Sequence, residues 1–195
     1  MLNQKNNAYQ RAFFKAMSDE LLQCFDENET PTEIQPRSEV KKNPPRWWYG
    51  VVRIFVVNKA REILISKRAE TLASNPGKWQ AFFGGHVGAG EDFLSVAQRE
   101  LEEEAGIAVA KSELHFITEG KKPEKLVHYK NYAVFFDGDI SKLNIQPSEV
   151  AEIKWVSIPD FLKAFGSFSE KFHFTDQKQD AVELQEWLDK SPSTL

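Results

Sequence analysis

The stretch that decides the reading is GHVGAGEDFLSVAQRELEEEAGI, Gly85–Ile107. It carries Glu91, Asp92, Glu100, Glu102, Glu103 and Glu104 against a single arginine, Arg99, and four glycines at 84, 85, 88 and 90 stand at its start. From Glu91 to Ala105 the apolar spacing predicts a helix, with Gly106 as its left-handed cap. At about 100° per residue, Leu94, Ala97, Leu101 and Ala105 fall on one apolar stripe. Glu100, Glu103 and Glu104 fall on the adjoining stripe, while Ser95, Gln98 and Glu102 face water. Like charges at i, i+3 and i+4 repel by a few tenths of a kcal/mol per pair on an exposed helix, and by more where water is excluded. A divalent cation removes that penalty. Hard oxygen donors favour Mg²⁺ or Mn²⁺ over zinc, and Mg²⁺ readily takes phosphate oxygens as further ligands. Read by itself, the same run is also what a solvated acidic helix looks like.

Working outward, Gly50–Asn58 (GVVRIFVVN) and Ile63–Ile65 are rich in β-branched and aromatic residues and predict a hairpin turned at NKARE. Leu72–Lys78 predicts a loop and Trp79–Phe83 a short strand. Further strands are expected at 113–118, 126–136 and 152–156. Helices are expected at Ile158–Phe165 and at Asp176–Lys190, the latter with Ala181, Leu184, Trp187 and Leu188 on one face. Upstream, Ala8, Phe13, Phe14 and Met17 predict a short amphipathic helix within residues 1–20. Leu21–Val40 reads as a hairpin-like arm turning near Asp26–Pro31, and Lys41–Pro45, with two prolines, reads as a break. The expected organisation is an N-terminal helix and hairpin arm over 1–45 and one domain over 46–195. Mixed strands with a few helices place it in the α/β or α+β classes.

Composition narrows the function classes. The 195 residues are 41% hydrophobic and 12% aromatic, enough for a sizeable core, and carry a net charge of −4, which offers nucleic acid no basic field. Cys24 is the only cysteine, so an internal disulfide framework is excluded and a reducing compartment is expected. No apolar run approaches the ~18 residues of a membrane span, and MLNQKNNAYQ has no signal-peptide pattern. The expectation is a cytoplasmic protein, with a homo-oligomer left open.

With these residues in place, the segment resembles the Nudix box, G-x5-E-x7-R-E-U-x-E-E-x-G-U, where U is a bulky aliphatic. Gly85, Glu91, Arg99, Glu100, Leu101, Glu103, Glu104, Gly106 and Ile107 fill every defined position. The resemblance covers roughly residues 48–165 and implies a Nudix α/β/α sandwich with a mixed central sheet. It further implies that Glu100, Glu103 and Glu104 hold Mg²⁺, that a backbone carbonyl near Gly85 is an additional ligand, and that Glu91 and Arg99 form a supporting ion pair between loop and helix. The implied activity is hydrolysis of a pyrophosphate bond in a nucleoside diphosphate linked to another moiety. The implied general base is Glu149, in the loop QPSEVAEIKW, or Glu100 acting as both ligand and base, with Glu152 as a further alternative.

The flanking segments CFDENETPTEIQPRSEV and ILISKRAETLASNPGKW also resemble type I isopentenyl-diphosphate isomerases and their hydrolase relatives. Those isomerases use a cysteine two residues before the histidine of a C-G-H segment. Here that position is Gly84, and Cys24 lies far upstream. Tyr49 stands where the isomerases place a metal-binding histidine, while His86 matches another of their metal ligands. The isomerase, and a non-catalytic nucleotide-binding sensor, remain the alternatives to a hydrolase. Arg37, Arg46, Lys67 and Arg68 are candidate phosphate partners, with Arg68 favoured for substrate binding because it precedes the loop leading to the box. Trp47–Trp48–Tyr49 could stack a base or close the core. His115, His128 and His173 carry no spacing signal.

Overall fold

The computed structural model describes residues 19–167 and 177–190. The expected helix within residues 1–20, and His173, lie outside them, apart from Asp19 and Glu20. Three helices and eight strands organise the site: β1 (Leu21–Phe25), β2 (Pro31–Pro36), β3 (Trp48–Val57), β4 (Glu62–Arg68), β5 (Trp79–Gln80), α2 (Phe93–Ala105), β6 (His115–Lys122), β7 (Val127–Phe135), β8 (Val150–Ser157), α3 (Ile158–Ser167) and α4 (Gln177–Lys190). A single turn of helix, α1 (Arg37–Val40), ends the arm.

The spine is β3, whose run of Val, Ile and Phe suits a strand buried on both faces. It pairs in parallel with β7 from Tyr49↔Val127 to Val57↔Phe135, and β7 pairs antiparallel with β6. The hairpin to β4 turns as NKARE predicts: Asn58 Oδ1 accepts from the Glu62 N–H at 3.0 Å and Arg61 takes φ 60. Then β4 leaves β3 after Val57↔Ile63 and runs antiparallel to β8 from Glu62↔Ser157 to Arg68↔Val150.

The divergence frees an edge of β3, and the glycine segment fills it. Ile54 and Phe83 exchange N–H to carbonyl bonds at 2.8 and 3.0 Å, Val52 N–H donates to Gly85 O at 2.9 Å, and Val87 N–H donates to Gly50 O at 3.0 Å. The arm closes the far side. β1 pairs with both β2 and β3, and Gln23 N–H donates to Val87 O at 3.0 Å. A segment that composition reads as a loop is therefore held like a strand, because its backbone pairs with β3 on one side and with β1 on the other.

Alternation along β3 divides the core. Val52, Ile54 and Val56 face one side with Leu64 and Phe83, against Val96, Ala97 and Leu101 of α2. Phe55 and Val57 face the other with Ile63, Ile65, Phe161, Leu184 and Leu188 beneath α3 and α4. The result is the expected helix–sheet–helix sandwich. Helix α2 starts two residues later than expected because Asp92 is its N-cap, accepting from Ser95 N–H at 2.8 Å, and it ends at Gly106 with φ 69. Val96, Ala97 and Leu101 are fully buried. Burial of a side chain such as Val or Leu is worth roughly 1.5–3 kcal/mol, so the rotation of α2 about its axis is fixed. That rotation decides where the glutamates point.

Candidate active site

The buried face of α2 runs Phe93, Val96, Ala97, Glu100, Leu101, Glu104 and Ala105. Two carboxylates therefore lie on the core side of the helix: Glu100 is 3% exposed and Glu104 is 6% exposed. Glu103 is half-buried beside them, whereas Glu102 is exposed. Leu94 is only partly buried, and Phe93 and Val96 extend the apolar face beyond the expected stripe.

The glycine segment allows the carboxylates to come this close. A Cβ on Gly85 would stand 2.4 Å from Glu100 Oε1, and a Cβ on Gly84 would stand 2.1 Å from the Val52 carbonyl oxygen. Neither position accepts a side chain without moving backbone or the buried carboxylate. Gly84 N–H donates to Glu104 Oε2 at 3.1 Å, tying the loop to the helix. The Gly85 carbonyl already accepts from Val52, and its second lone pair is free of that bond.

Arg99 joins the loop and the acids. Its Nε and Nη2 donate to the two oxygens of Glu91, each at 2.9 Å, while Nη1 donates to Glu100 at 2.7 Å and to Glu103 at 3.1 Å. Burial alone would lower the arginine pKa, but Glu91, Glu100 and Glu103 together raise it. Bidentate geometry with three acidic neighbours distinguishes this pair from an exposed one worth under ~1 kcal/mol. Arg99 Nη1 stands between Glu100 and Glu103, and among the described residues no three acidic, histidine or cysteine side chains are gathered as a finished metal site.

Two further groups approach the acids, Arg68 from β4 and Glu149 from the loop before β8. Glu149 shares a hydrogen bond with Glu104. Its loop is tied to α2 by Gln146 N–H donating to Glu104 O at 3.1 Å, and to β4 by Ala69 N–H donating to Glu149 O at 2.9 Å. Burial, then the negative charges of Glu100 and Glu149, push the Glu104 carboxyl well above the ordinary glutamate value, against the pull of Gly84 N–H. A bulge between Lys67 and Arg68 brings Arg68 beside Val150, where burial lowers its pKa and the charges of Glu104 and Glu149 partly restore it. Its Nε also donates to Ser74 O at 3.1 Å.

The remaining candidates separate. Glu152 is exposed and sits in β8 between Ala151 and Ile153. Ile153 and Trp155 pack toward α2, so by strand alternation Glu152 points to the opposite face. Lys67 approaches Glu70 at 3.8 Å, and Arg46 is exposed. Trp48 stacks on His128 with centroids 4.7 Å apart, and Tyr49 is buried against Leu22, Cys24 and Val40, so this part of the aromatic run closes the core. His128 Nε2 lies 2.8 Å from the Asp26 carbonyl, while His115 packs on Trp187.

The donor set fits a hard divalent cation. Two buried carboxylates repel one another, a third stands on the same side of the helix, and the adjacent glycine backbone offers a carbonyl oxygen without a side chain in the way.

Comparison with known proteins agrees with this geometry. The family model of the NUDIX domain matches residues 48–177. A protein of Pseudomonas aeruginosa described as the uncharacterized Nudix hydrolase PA4841 is 31% identical over 147 residues, covering 73% of this chain and 82% of its own. An isopentenyl-diphosphate Delta-isomerase of Paenarthrobacter aurescens is 31% identical over 106 residues, covering 53% of this chain and 58% of its own. The crystal structure of DR0079 from Deinococcus radiodurans superposes with a TM-score of 0.69 at 18% identity, covering 84% of this chain and 98% of that one, and so shares the fold. With its intact box folded against the glycine segment, the chain belongs to the Nudix family and is a Nudix hydrolase.

Proposed function

We propose that the protein hydrolyses a pyrophosphate bond in a nucleoside diphosphate linked to another moiety, with Mg²⁺ bound by Glu100, Glu103 and Glu104 and assisted by the Gly85 carbonyl; Mn²⁺ substitutes. The observation that carries this reading is the burial of Glu100 and Glu104 side by side against the glycine segment. Apolar packing forces like charges together there, at a free-energy cost that Arg99 offsets on the Glu100 side and that a bound cation or a shared proton would offset at Glu104. Glu100, Glu103, Glu104 and the Gly85 carbonyl would hold the metal, which would supply charge neutralisation for a diphosphate and acidify a water.

The chain's own residues then have distinct work. Arg99 and Glu91 hold the loop against α2, which keeps Gly84 and Gly85 over the carboxylates. In this reading Glu149 takes a proton from the attacking water, supported by its hydrogen bond with Glu104 and its seat on the loop before β8. Glu100 is the alternative base, and Glu152 faces away from both. Arg68, between Glu149 and the Ser74 loop, neutralises charge on the substrate's phosphates.

The isomerase activity of some relatives is not supported by the glycine segment. The position of their cysteine is Gly84, where a Cβ would stand 2.1 Å from the Val52 carbonyl. The shared scaffold is therefore read as ancestry and the chemistry as hydrolysis. The test is phosphate release from a library of nucleoside-diphosphate derivatives with Mg²⁺, each tested with and without excess EDTA. Turnover of one class that EDTA abolishes is expected. EDTA-resistant turnover overturns the metal assignment, and conversion of isopentenyl diphosphate to dimethylallyl diphosphate overturns the choice of reaction.

A further inference from the structure

The arm places a lysine where the sequence shows only a break. Lys41 follows α1, and its ammonium donates to Tyr49 Oη at 2.7 Å while lying 4.0 Å from the centroid of the same ring. Tyr49 in turn packs on His86, with ring centroids 5.7 Å apart. His86 is the next residue after Gly85, where an added Cβ would meet Glu100 Oε1 at 2.4 Å.

Arg37, one turn earlier on the arm, faces the same region. Its positive charge reaches Lys41, Tyr49 and Arg68, and Arg68 in turn senses Glu104 and Glu149. Arg37 Nη1 is paired with Glu20 at 2.9 Å, and Lys41 stands one turn further along with its ammonium on Tyr49. A cation beside a carboxylate metal cradle suits a diphosphate, whose oxygens outnumber the ligands that one metal accepts.

Building on the diphosphate reading above, we propose that Lys41, seated on Tyr49 beside His86 with Arg37 behind it, forms an anion subsite that takes a phosphoryl group of the substrate at the arm end of the glycine segment. Binding is coupled to proton uptake. The residue as a whole is exposed, yet its ammonium is pressed against the ring. Desolvation there, followed by the positive charges of Arg37 and Lys125 and opposed by Glu20, lowers its pKa to about 8. An arriving oxyanion reverses the sign of the local field and raises that value, so the lysine gains a proton as the anion binds. The linkage has a definite sign: anion affinity is constant below pH 8 and falls by up to tenfold per pH unit above it, until the bound-state pKa is reached.

Sulfate tests this without turnover or metal, because it is a tetrahedral dianion that does not titrate between pH 7 and 10. In protein labelled with ¹³C-lysine, the Cε resonance of Lys41, assigned by its loss in Lys41→Arg and Lys41→Met, is followed against pH in sulfate and in chloride of equal ionic strength. Sulfate is expected to move the Lys41 midpoint upward from about 8, and chloride to leave it. Lys41→Arg is expected to keep sulfate binding and lose its dependence on pH, whereas Lys41→Met is expected to lose binding. An equal midpoint in both salts, or sulfate binding by Lys41→Met with wild-type pH dependence, overturns the subsite. Absence of hydrolysis in the library screen, with the sulfate result intact, would instead point to the reading of the reaction.

Discussion

Restoring the cysteine that isomerase-type relatives use separates scaffold from chemistry. In Gly84→Cys the new Cβ would stand 2.1 Å from the Val52 carbonyl oxygen and 3.2 Å from the Arg53 Cα, both backbone atoms of the central strand. No rotamer relieves a Cβ contact, so backbone must shift. Overpacking of this kind costs about 1–3 kcal/mol. A residue with a Cβ held at the φ of 154 seen here adds strain of about 1–3 kcal/mol. The sum, about 2–6 kcal/mol, is a large share of a typical stability of about 5–15 kcal/mol. At about 2–4 °C per kcal/mol for a domain of this size, the midpoint of thermal unfolding should fall by about 4–24 °C. Gly84→Ala should fall almost as far, because the clash belongs to the Cβ and not to the thiol. Calorimetry with far-UV circular dichroism measures both variants, and NMR of isopentenyl diphosphate tests for isomerisation. A Gly84→Cys protein with wild-type stability, or one that forms dimethylallyl diphosphate, refutes the reasoning.

Further outcomes follow from the same geometry. Glu104→Gln should lower kcat by ~10²–10³-fold or more, while Glu102→Gln, on the exposed side of α2, should leave steady-state kinetics unchanged; equal losses would mean the helix is rotated from this register. Glu149→Gln should lower kcat by ~10²–10⁴-fold with Mg²⁺ affinity retained, and a full rate would move the base to Glu100. Metal-free protein should lose stability as pH rises above 4.5, because the folded state holds the Glu104 proton more tightly than the unfolded chain does and forfeits that advantage once the solvent no longer supplies it. Denaturant midpoints between pH 5 and 8 should therefore fall without Mg²⁺, stay level with it, and lose their slope in Glu104→Gln. A metal-free stability that rises over this interval would contradict the burial of that carboxyl.

Much of the fold was legible because patterning and turn residues agree. NKARE makes the β3–β4 turn, Asp92 and Gly106 bracket α2, and the apolar stripe sets its buried side. The pairing was less legible. The parallel match of β3 with β7 joins residues some 78 positions apart by its own register, Tyr49 with Val127, and nothing local in the sequence specifies it. The strand-like seat of the glycine segment was hidden for the same reason: its partners are backbone groups of β3 and β1. At the site, the spacing of Glu100, Glu103 and Glu104 gave their shared face, but burial separates Glu100 and Glu104 from Glu103. Resemblance gave Glu149 as a candidate base without its contact to Glu104, which depends on how the loop before β8 folds, and strand alternation turns Glu152 to the opposite face. Lys41 could not be found from sequence, since its setting depends on α1 folding back over Tyr49.

The most direct test of the central claim, that buried carboxylates of α2 form a divalent-metal cradle, is an electron paramagnetic resonance titration with Mn²⁺. The signal of free Mn²⁺ should be quenched by the wild-type protein and by Glu102→Gln with equal affinity. Glu100→Gln and Glu104→Gln should each weaken that affinity by at least ~10-fold, the lower end of what loss of even an outer-shell partner costs a metal site. Mn²⁺ affinity equal in the wild type and in Glu104→Gln would contradict the account.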